Sequence, residues 1–284
     1  MKKNLMSDKD IFEDLFVELQ NKSLWEKYWR FKYLYLPQFG DQIVEILPTI
    51  SDMEALLKNE IIPGEETIRF IGFEKNNDLE IKEWLIHRSS PGFNFSGTIN
   101  LPQAETVFPS MVLLASELEA FFQGSINLQI FFAMEEGGLP PHTDLNDSLI
   151  FQIAGKKRWI IEDFDEQSTL KDGNAGAQLS PKARSVVLEP GDVLYKPSNA
   201  IHSTEHLDFP NLALTASIQT TTARDVLLAY LKVSLAGDPK WMERWPLVSD
   251  DPRREEIIEI ISEASKELSQ KLPSGEELEK SWRT

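Results

Sequence analysis

GGLPPHTDLNDSLIFQIAGKKRWIIED, residues 137–163, contains a glycine turn, a histidine and an aspartate two residues apart, and two apolar runs split by a second glycine turn. The runs SLIFQIA and RWII are short, rich in branched and aromatic residues, and bounded by Gly, Asn and Asp, which is the texture of strands rather than helices. The same texture extends to both sides. NLQIFFAM, SVVLEPG, DVLYKP and LALTASIQTT are further short apolar runs broken by Gly, Pro, Asn and Asp. Such a succession predicts an antiparallel barrel or jelly roll.

Around this centre the chain reads as helical. Phe12, Leu15, Phe16 and Leu19 recur at helical spacing. The aromatic-basic stretch SLWEKYWRFKYLYLPQF (23–39) ends in a predicted strand, Tyr33–Leu36, and its Trp25, Tyr28 and Trp29 are expected to pack on the barrel. Ser51 and Glu54 form a capping-box pattern before the helix MEALLKN. β-like runs follow at Ile68–Phe73 and Trp84–His87, and residues 110–122, SMVLLASELEAFF, predict an amphipathic helix ending at Gly124. From about residue 224 helices return. DVLLAYLKVSL is one; Asp251 as N-cap with Pro252 behind it opens another, along which Ile257, Ile261, Ala264, Leu268 and Leu272 make an apolar stripe. The expected fold is mostly β with flanking helices. Residues 1–222 form one domain, its barrel core spanning about 90–222 behind an N-terminal α+β extension; residues 223–284 form a C-terminal helical segment suited to dimerisation.

Composition narrows the chemistry. The 284 residues include no cysteine and four histidines, so disulfides, thiolate-bound zinc and thiol nucleophiles are excluded, and any metal must sit on His, Asp or Glu. With 29 basic against 46 acidic residues the net charge is −17, which disfavours nucleic acid and anionic membranes and reads either as a solubilising surface or as one suited to a basic macromolecular partner. No apolar run resembles a signal-peptide core or a membrane span, and a cytoplasmic protein is the expectation.

His142 and Asp144 stand two apart in PPHTD, a spacing that puts both on one side of a strand if a strand begins there. His202 follows 60 residues later, behind the run DVLYKP and the loop SNAI. A His-x-acid pair is common in a chain with 46 acidic residues, so the pair takes its meaning from context. Two imidazoles and one carboxylate on a common face leave three positions open on a metal, which suits non-haem Fe(II).

The context is specific. Residues 137–163, together with LEPGDVLYKPSNAIHS (188–203), resemble the core of the JmjC/cupin-type 2-oxoglutarate oxygenases, and of the ribosomal oxygenases among them; the resemblance covers roughly residues 10–222. It implies a double-stranded β-helix, with His142, Asp144 and His202 as ligands of Fe(II). It also implies Lys157, fifteen residues after His142, as anchor for the far carboxylate of 2-oxoglutarate. Strand alternation agrees, since it sends Lys157 one way and Lys156 and Arg158 the other. By the same alignment Ser217, Ser148 and Asn127 are candidate cofactor contacts. His206 is either an outer partner of the metal ligands or a structural or solvent-side histidine, the latter favoured. His87 reads as a sheet-edge residue and Trp159 as core packing. Thr143 stands where many relatives have an aromatic or apolar residue, a departure that bears on the substrate pocket.

The resemblance implies a dioxygenase consuming O2 and 2-oxoglutarate. Its expected substrate is a side chain, Arg or His, of a protein such as a ribosomal protein, and its expected assembly a homodimer. Hydroxylation of a small metabolite or biosynthetic peptide, and a metal-binding cupin without catalysis, are the alternatives. Lys157 speaks against the last, because a simple cupin needs no cation there. The polar stretch 162–183 is long enough to be a lid.

Overall fold

The computed structural model describes residues 8–58, 68–72, 82–86, 98–163 and 178–235, with Glu255, residues 258–262 and Lys266. The chain divides into two compact units, Met1–Thr220 and Thr221–Thr284. In the first, α1 (Asp8–Asn21), a π-turn (Leu24–Tyr28), β1 (Leu34–Leu36), α2 (Asp41–Val44) and α3 (Ile50–Lys58) precede β2 (Ile68–Gly72), β3 (Lys82–Ile86) and β4 (Thr98–Leu101). Next come α4 (Ala104–Val107), α5 (Met111–Phe122), β5 (Gly124–Ala133), β6 (Gly138–His142), β7 (Asp147–Ala154) and β8 (Lys157–Ile161). Then follow β9 (Arg184–Leu188), β10 (Val193–Lys196), β11 (His202–His206) and β12 (Asn211–Thr220).

All strand pairs among the described residues are antiparallel. The larger sheet runs β1-β10-β7-β12-β5-β4-β2-β3 and the smaller β6-β11-β8-β9. This is the two-sheet β architecture expected from the short bounded runs. Alternation along the strands of the larger sheet sorts its side chains into two cores. Leu128, Ile130 and Phe132 of β5, Leu149 and Phe151 of β7, Tyr195 of β10 and Leu212, Leu214 and Ala216 of β12 join one cluster with Phe12, Leu15 and Leu19 of α1 and Leu114, Leu118 and Phe122 of α5. Each of the Leu, Ile and Phe side chains among these, fully buried, contributes roughly 2 kcal/mol of hydrophobic stabilisation. The opposite face of the sheet, through Ile150, Leu194 and Ala213, meets Trp159 and Leu188 of the smaller sheet. The sequence reading did not separate these two faces, because β7 is buried on both and shows no polar alternation.

Trp29 stacks on Phe122 and on Tyr195, and Trp25 meets Trp29 edge-on, so the N-terminal aromatics seal the helical side of the sheet. The capping box of α3 lies two residues before the expected one. The Asp52 carboxylate accepts from the Thr49 N–H at 2.8 Å and the Thr49 hydroxyl accepts from the Asp52 N–H at 3.3 Å, which puts Ser51 inside the first turn. The same device recurs in the second unit, where Thr222 and Asp225 exchange bonds at the start of α6 (Ala223–Leu235). His87, Asp251, Pro252, Ile257, Ala264, Leu268, Leu272 and residues 164–177 of the long polar stretch lie outside the described residues.

Candidate metal centre

The centre is built where the two signature stretches meet. β6 pairs with β11 so that His142 and His202 are Cα partners. That close approach depends on Gly138, at φ +151°, where a Cβ would fall 1.9 Å from the Thr204 carbonyl oxygen. β6 ends at His142, and Asp144 lies beyond it in the following turn. The expected placement of the pair at the start of a strand is therefore corrected: the strand carries only the histidine, and the turn brings the carboxylate round. Backbone bonds hold that turn, since the Asn199 N–H donates to the Asp144 carbonyl at 2.7 Å. Below it, the buried Asp147 carboxylate accepts from the Tyr195 hydroxyl at 2.7 Å and the Ser198 N–H at 3.2 Å. The loop leading to His202 is thus fastened to the loop carrying Asp144.

The Asp144 carboxylate lies 3.7 Å from His142 Nε2 through one oxygen and 3.4 Å from His202 Nε2 through the other. All three donors fall within 4.8 Å of one another. Ligand bonds of about 2.1 Å meeting near right angles separate donor atoms by about 3 Å, so a small inward adjustment closes this set on a metal. The imidazoles are oriented for it. Nδ1 of His142 is 2.8 Å from the Pro140 carbonyl, and Nδ1 of His202 is 3.0 Å from the Ala200 carbonyl. A carbonyl can only accept, so both Nδ1 atoms carry the proton and both Nε2 lone pairs point inward. Burial, reinforced by the neighbouring Lys196 cation, pushes His202 well below the usual histidine range despite Asp144, and a neutral imidazole is the form that ligates. Burial alone would raise Asp144; the Lys196 ammonium opposes it and holds the carboxyl below its ordinary range. The donor set fits a divalent transition metal.

A cavity of about 210 Å³, roughly seven water volumes, opens between the sheets beside the triad. Lys157 lines it, 3 % exposed, its ammonium 5.4 Å from the Trp159 ring and equally far from that of Phe131. It has no carboxylate partner among the described residues, and burial lowers it to about 8. Its neighbours face outward, Lys156 bonded to Glu189 at 2.6 Å and Arg158 to Glu205 at 2.5 Å. Trp159 does more than pack: its indole lies nearly parallel to the His202 ring at 5.4 Å and is also 5.4 Å from the Lys157 ammonium.

Ser148 lines the cavity; Ser217 and Asn127 share its rung of the sheet without lining the cavity wall. His206, opposite Lys157 on β11, is buried rather than solvent-facing, and burial with the Lys157 charge lowers it to about 3. Thr143 is half-buried and is not a lining residue. Sequence reading missed Lys196, which is 1 % exposed and bonded to Asp144 at 3.0 Å, as well as Asn100, Gln129, Phe131 and Thr215 on the cavity wall. The signal for Lys196 was alternation: it shares the inward face with Leu194 at the end of β10, a strand buried throughout.

An antiparallel double sheet with two histidines and a carboxylate converging at one end of the intervening cavity defines a cupin-type non-haem metal protein. Residues 105–226 match the JmjC domain family, and the chain resembles the ribosomal oxygenases. It is 24 % identical over 209 residues to the bifunctional lysine-specific demethylase and histidyl-hydroxylase NO66 of Dictyostelium discoideum, covering 69 % of this chain and 40 % of that protein. It is 23 % identical over 216 residues to ribosomal oxygenase 2 of Rattus norvegicus, covering 71 % and 45 %. The chain therefore spans less than half the length of these two relatives. The structure of YcfD, a ribosomal oxygenase from Escherichia coli, in complex with cobalt and 2-oxoglutarate, superposes with a TM-score of 0.58 at 18 % identity, over 87 % of this chain and 66 % of YcfD, a likeness of fold.

Proposed function

We propose that the chain is an Fe(II)- and 2-oxoglutarate-dependent oxygenase that hydroxylates a side chain of a protein substrate. One observation carries this reading: a two-histidine, one-carboxylate face and a buried lysine without a carboxylate partner share one cavity, with the Trp159 indole near both. His142, Asp144 and His202 would hold the ion, and Lys157 would receive the far carboxylate of 2-oxoglutarate through a charge-assisted bond. A cupin that merely stored a metal would have no use for the cost of burying that cation. When bound, iron with 2-oxoglutarate and O2 supplies the oxidising power, the co-substrate being split to succinate and CO2 as one oxygen atom passes to the substrate C–H bond. The chain's own part is to fix the imidazole tautomers, orient the co-substrate and, through Phe131 and Trp159, keep water from the site.

The relatives support a protein substrate, being a histidyl-hydroxylase and a ribosomal oxygenase by name. Arginine and histidine are the target classes this kinship suggests. The net charge of −17 favours a basic protein partner, and the exposed Leu227, Leu228, Ile258 and Ile261 support the C-terminal segment as a homodimer contact.

The test is succinate production by the purified protein with Fe(II), ascorbate and 2-oxoglutarate, alone and with a ribosomal-protein extract. Turnover lost in Asp144→Ala and stimulated by the extract is the expected result. Iron binding without turnover under either condition would overturn the oxygenase reading, and turnover the extract never stimulates would remove the protein substrate.

A further inference from the structure

The inward face of the larger sheet carries one polar rung at the level of the metal ligands. Asn127 of β5 pairs with Ser217 of β12, Ser217 with Ser148 of β7, and Ser148 with Lys196 of β10. Deeper rungs on the same face, Gln129–Thr215–Ile150–Leu194 and then Phe131–Ala213–Gln152, lead toward the end where Lys157 sits beside Phe131. The two lysines therefore serve different places. Lys157 stands at the far end of the cavity, whereas Lys196 stands against Asp144.

The polar rung is rich in donors. The Lys196 ammonium meets Asp144 at 3.0 Å and the Pro197 carbonyl at 3.5 Å, the latter at the limit of a hydrogen bond, so a third N–H is left for the cavity that Lys196 lines. Ser148 lines the same wall. The Ser217 hydroxyl accepts from the Asn146 amide at 3.2 Å, and its own proton remains to be donated. Asn127 has a buried side-chain oxygen with no partner, and turning the amide over presents its NH2 at that place instead.

Charge points the same way. Among the described residues the cavity wall has two lysines against one aspartate, an excess of one positive charge. A divalent ion and a doubly charged 2-oxoglutarate cancel each other and leave that excess standing. A substrate guanidinium would add to it in a low-dielectric site, while a carboxylate would cancel it.

We propose that the cavity-lining end of this rung is a substrate subsite, in which Lys196, assisted by Ser148, takes a carboxylate of the primary substrate. The group offered to the metal is then uncharged or acidic, which removes arginine from the two target classes above. The inference rests on the oxygenase reading and deepens it.

The test uses the full chain loaded with Mn(II), which is paramagnetic and does not turn over, and with 2-oxoglutarate. N-acetyl-aspartate amide, N-acetyl-asparagine amide and N-acetyl-arginine amide are titrated in turn, and the relaxation of their protons reports approach to the metal. The aspartate probe is expected to bind about tenfold more tightly than its neutral isostere, as one charged hydrogen bond requires, and the arginine probe not to be relaxed. Lys196→Met should abolish the preference for aspartate, and Ser148→Ala should reduce it. If Lys196 only steadies Asp144, Lys196→Met alters Mn(II) affinity but leaves discrimination between the probes unchanged. Equal binding of the aspartate and asparagine probes to the wild type, a preference for arginine, or a preference that survives Lys196→Met overturns the proposal. Failure of the wild type to take up Mn(II) and 2-oxoglutarate at all brings down the oxygenase reading with it, so the two failures are told apart.

Discussion

Two buried lysines illustrate how one residue type takes on different work. Lys157 has aromatic rings for company and no counter-charge among the described residues; Lys196 has Asp144. Lys157→Ala is expected to raise the dissociation constant of 2-oxoglutarate about ten- to a hundredfold, the worth of one charge-assisted bond, with Mn(II) affinity unchanged; titration calorimetry reads both. His142→Ala and Asp144→Ala should lose Mn(II) binding itself, seen by electron paramagnetic resonance. A pH effect follows from the lowered Lys157, about 8 in the free protein. Its ammonium is lost as pH rises through that value, whereas a bound carboxylate keeps it protonated. His206, facing it from β11, stays neutral throughout this range. Binding of 2-oxoglutarate should accordingly be flat below pH 8 and weaken above it, toward about tenfold per pH unit. The sign for stability is opposite. Between pH 8 and the unfolded value of about 10.4 the unfolded chain holds more protons at this site, so the free fold gains stability as pH rises across that window.

Elements were legible to the extent that their signals are local. The strands at 147–154, 157–161 and 193–196 and the helices at 8–21 and 111–122 follow from runs and periods a few residues long. The start of α3 was misplaced because two capping patterns overlap, and Thr49 rather than Ser51 has the geometry to exchange bonds with the residue three further on. Thr49→Ala should cost about 1 kcal/mol in urea unfolding. The turn before β10 is less forgiving. Gly191 has φ +91°, and a Cβ there would fall 1.8 Å from an Asp41 carboxylate oxygen, while its carbonyl accepts from the Gly40 N–H at 2.7 Å. Asp41 can swing aside, but the positive φ remains, so Gly191→Ala should destabilise by about 1–2 kcal/mol, as a lowered urea midpoint. That turn matters to function because it sets β10, which aims Lys196, and the loop behind it, which delivers His202.

For the molecule as a whole, the charge of −17 bears on partners rather than on fold. If the substrate is a basic protein, its association rate should fall about tenfold or more between low and high salt, while 2-oxoglutarate binding inside the cavity should change far less; stopped-flow measurements separate the two. By itself the sequence determined the class of fold, through bounded apolar runs, and singled out His142, Asp144 and His202 as candidate metal ligands, through motifs whose spacing and flanking turns constrain the backbone. Lys157 too could be read, because alternation between two outward-facing charges leaves it one direction. Only the tertiary structure decided which residues stand together on one rung beside the candidate metal centre. The rung Asn127–Ser217–Ser148–Lys196 gathers residues from four strands with no shared motif, and the neighbour of each is set by register between strands distant in sequence. Hydrogen-bonded register is a property of the paired sheet, not of any one run, and so the contact of Lys196 with Asp144 came into view only once the sheets were assembled.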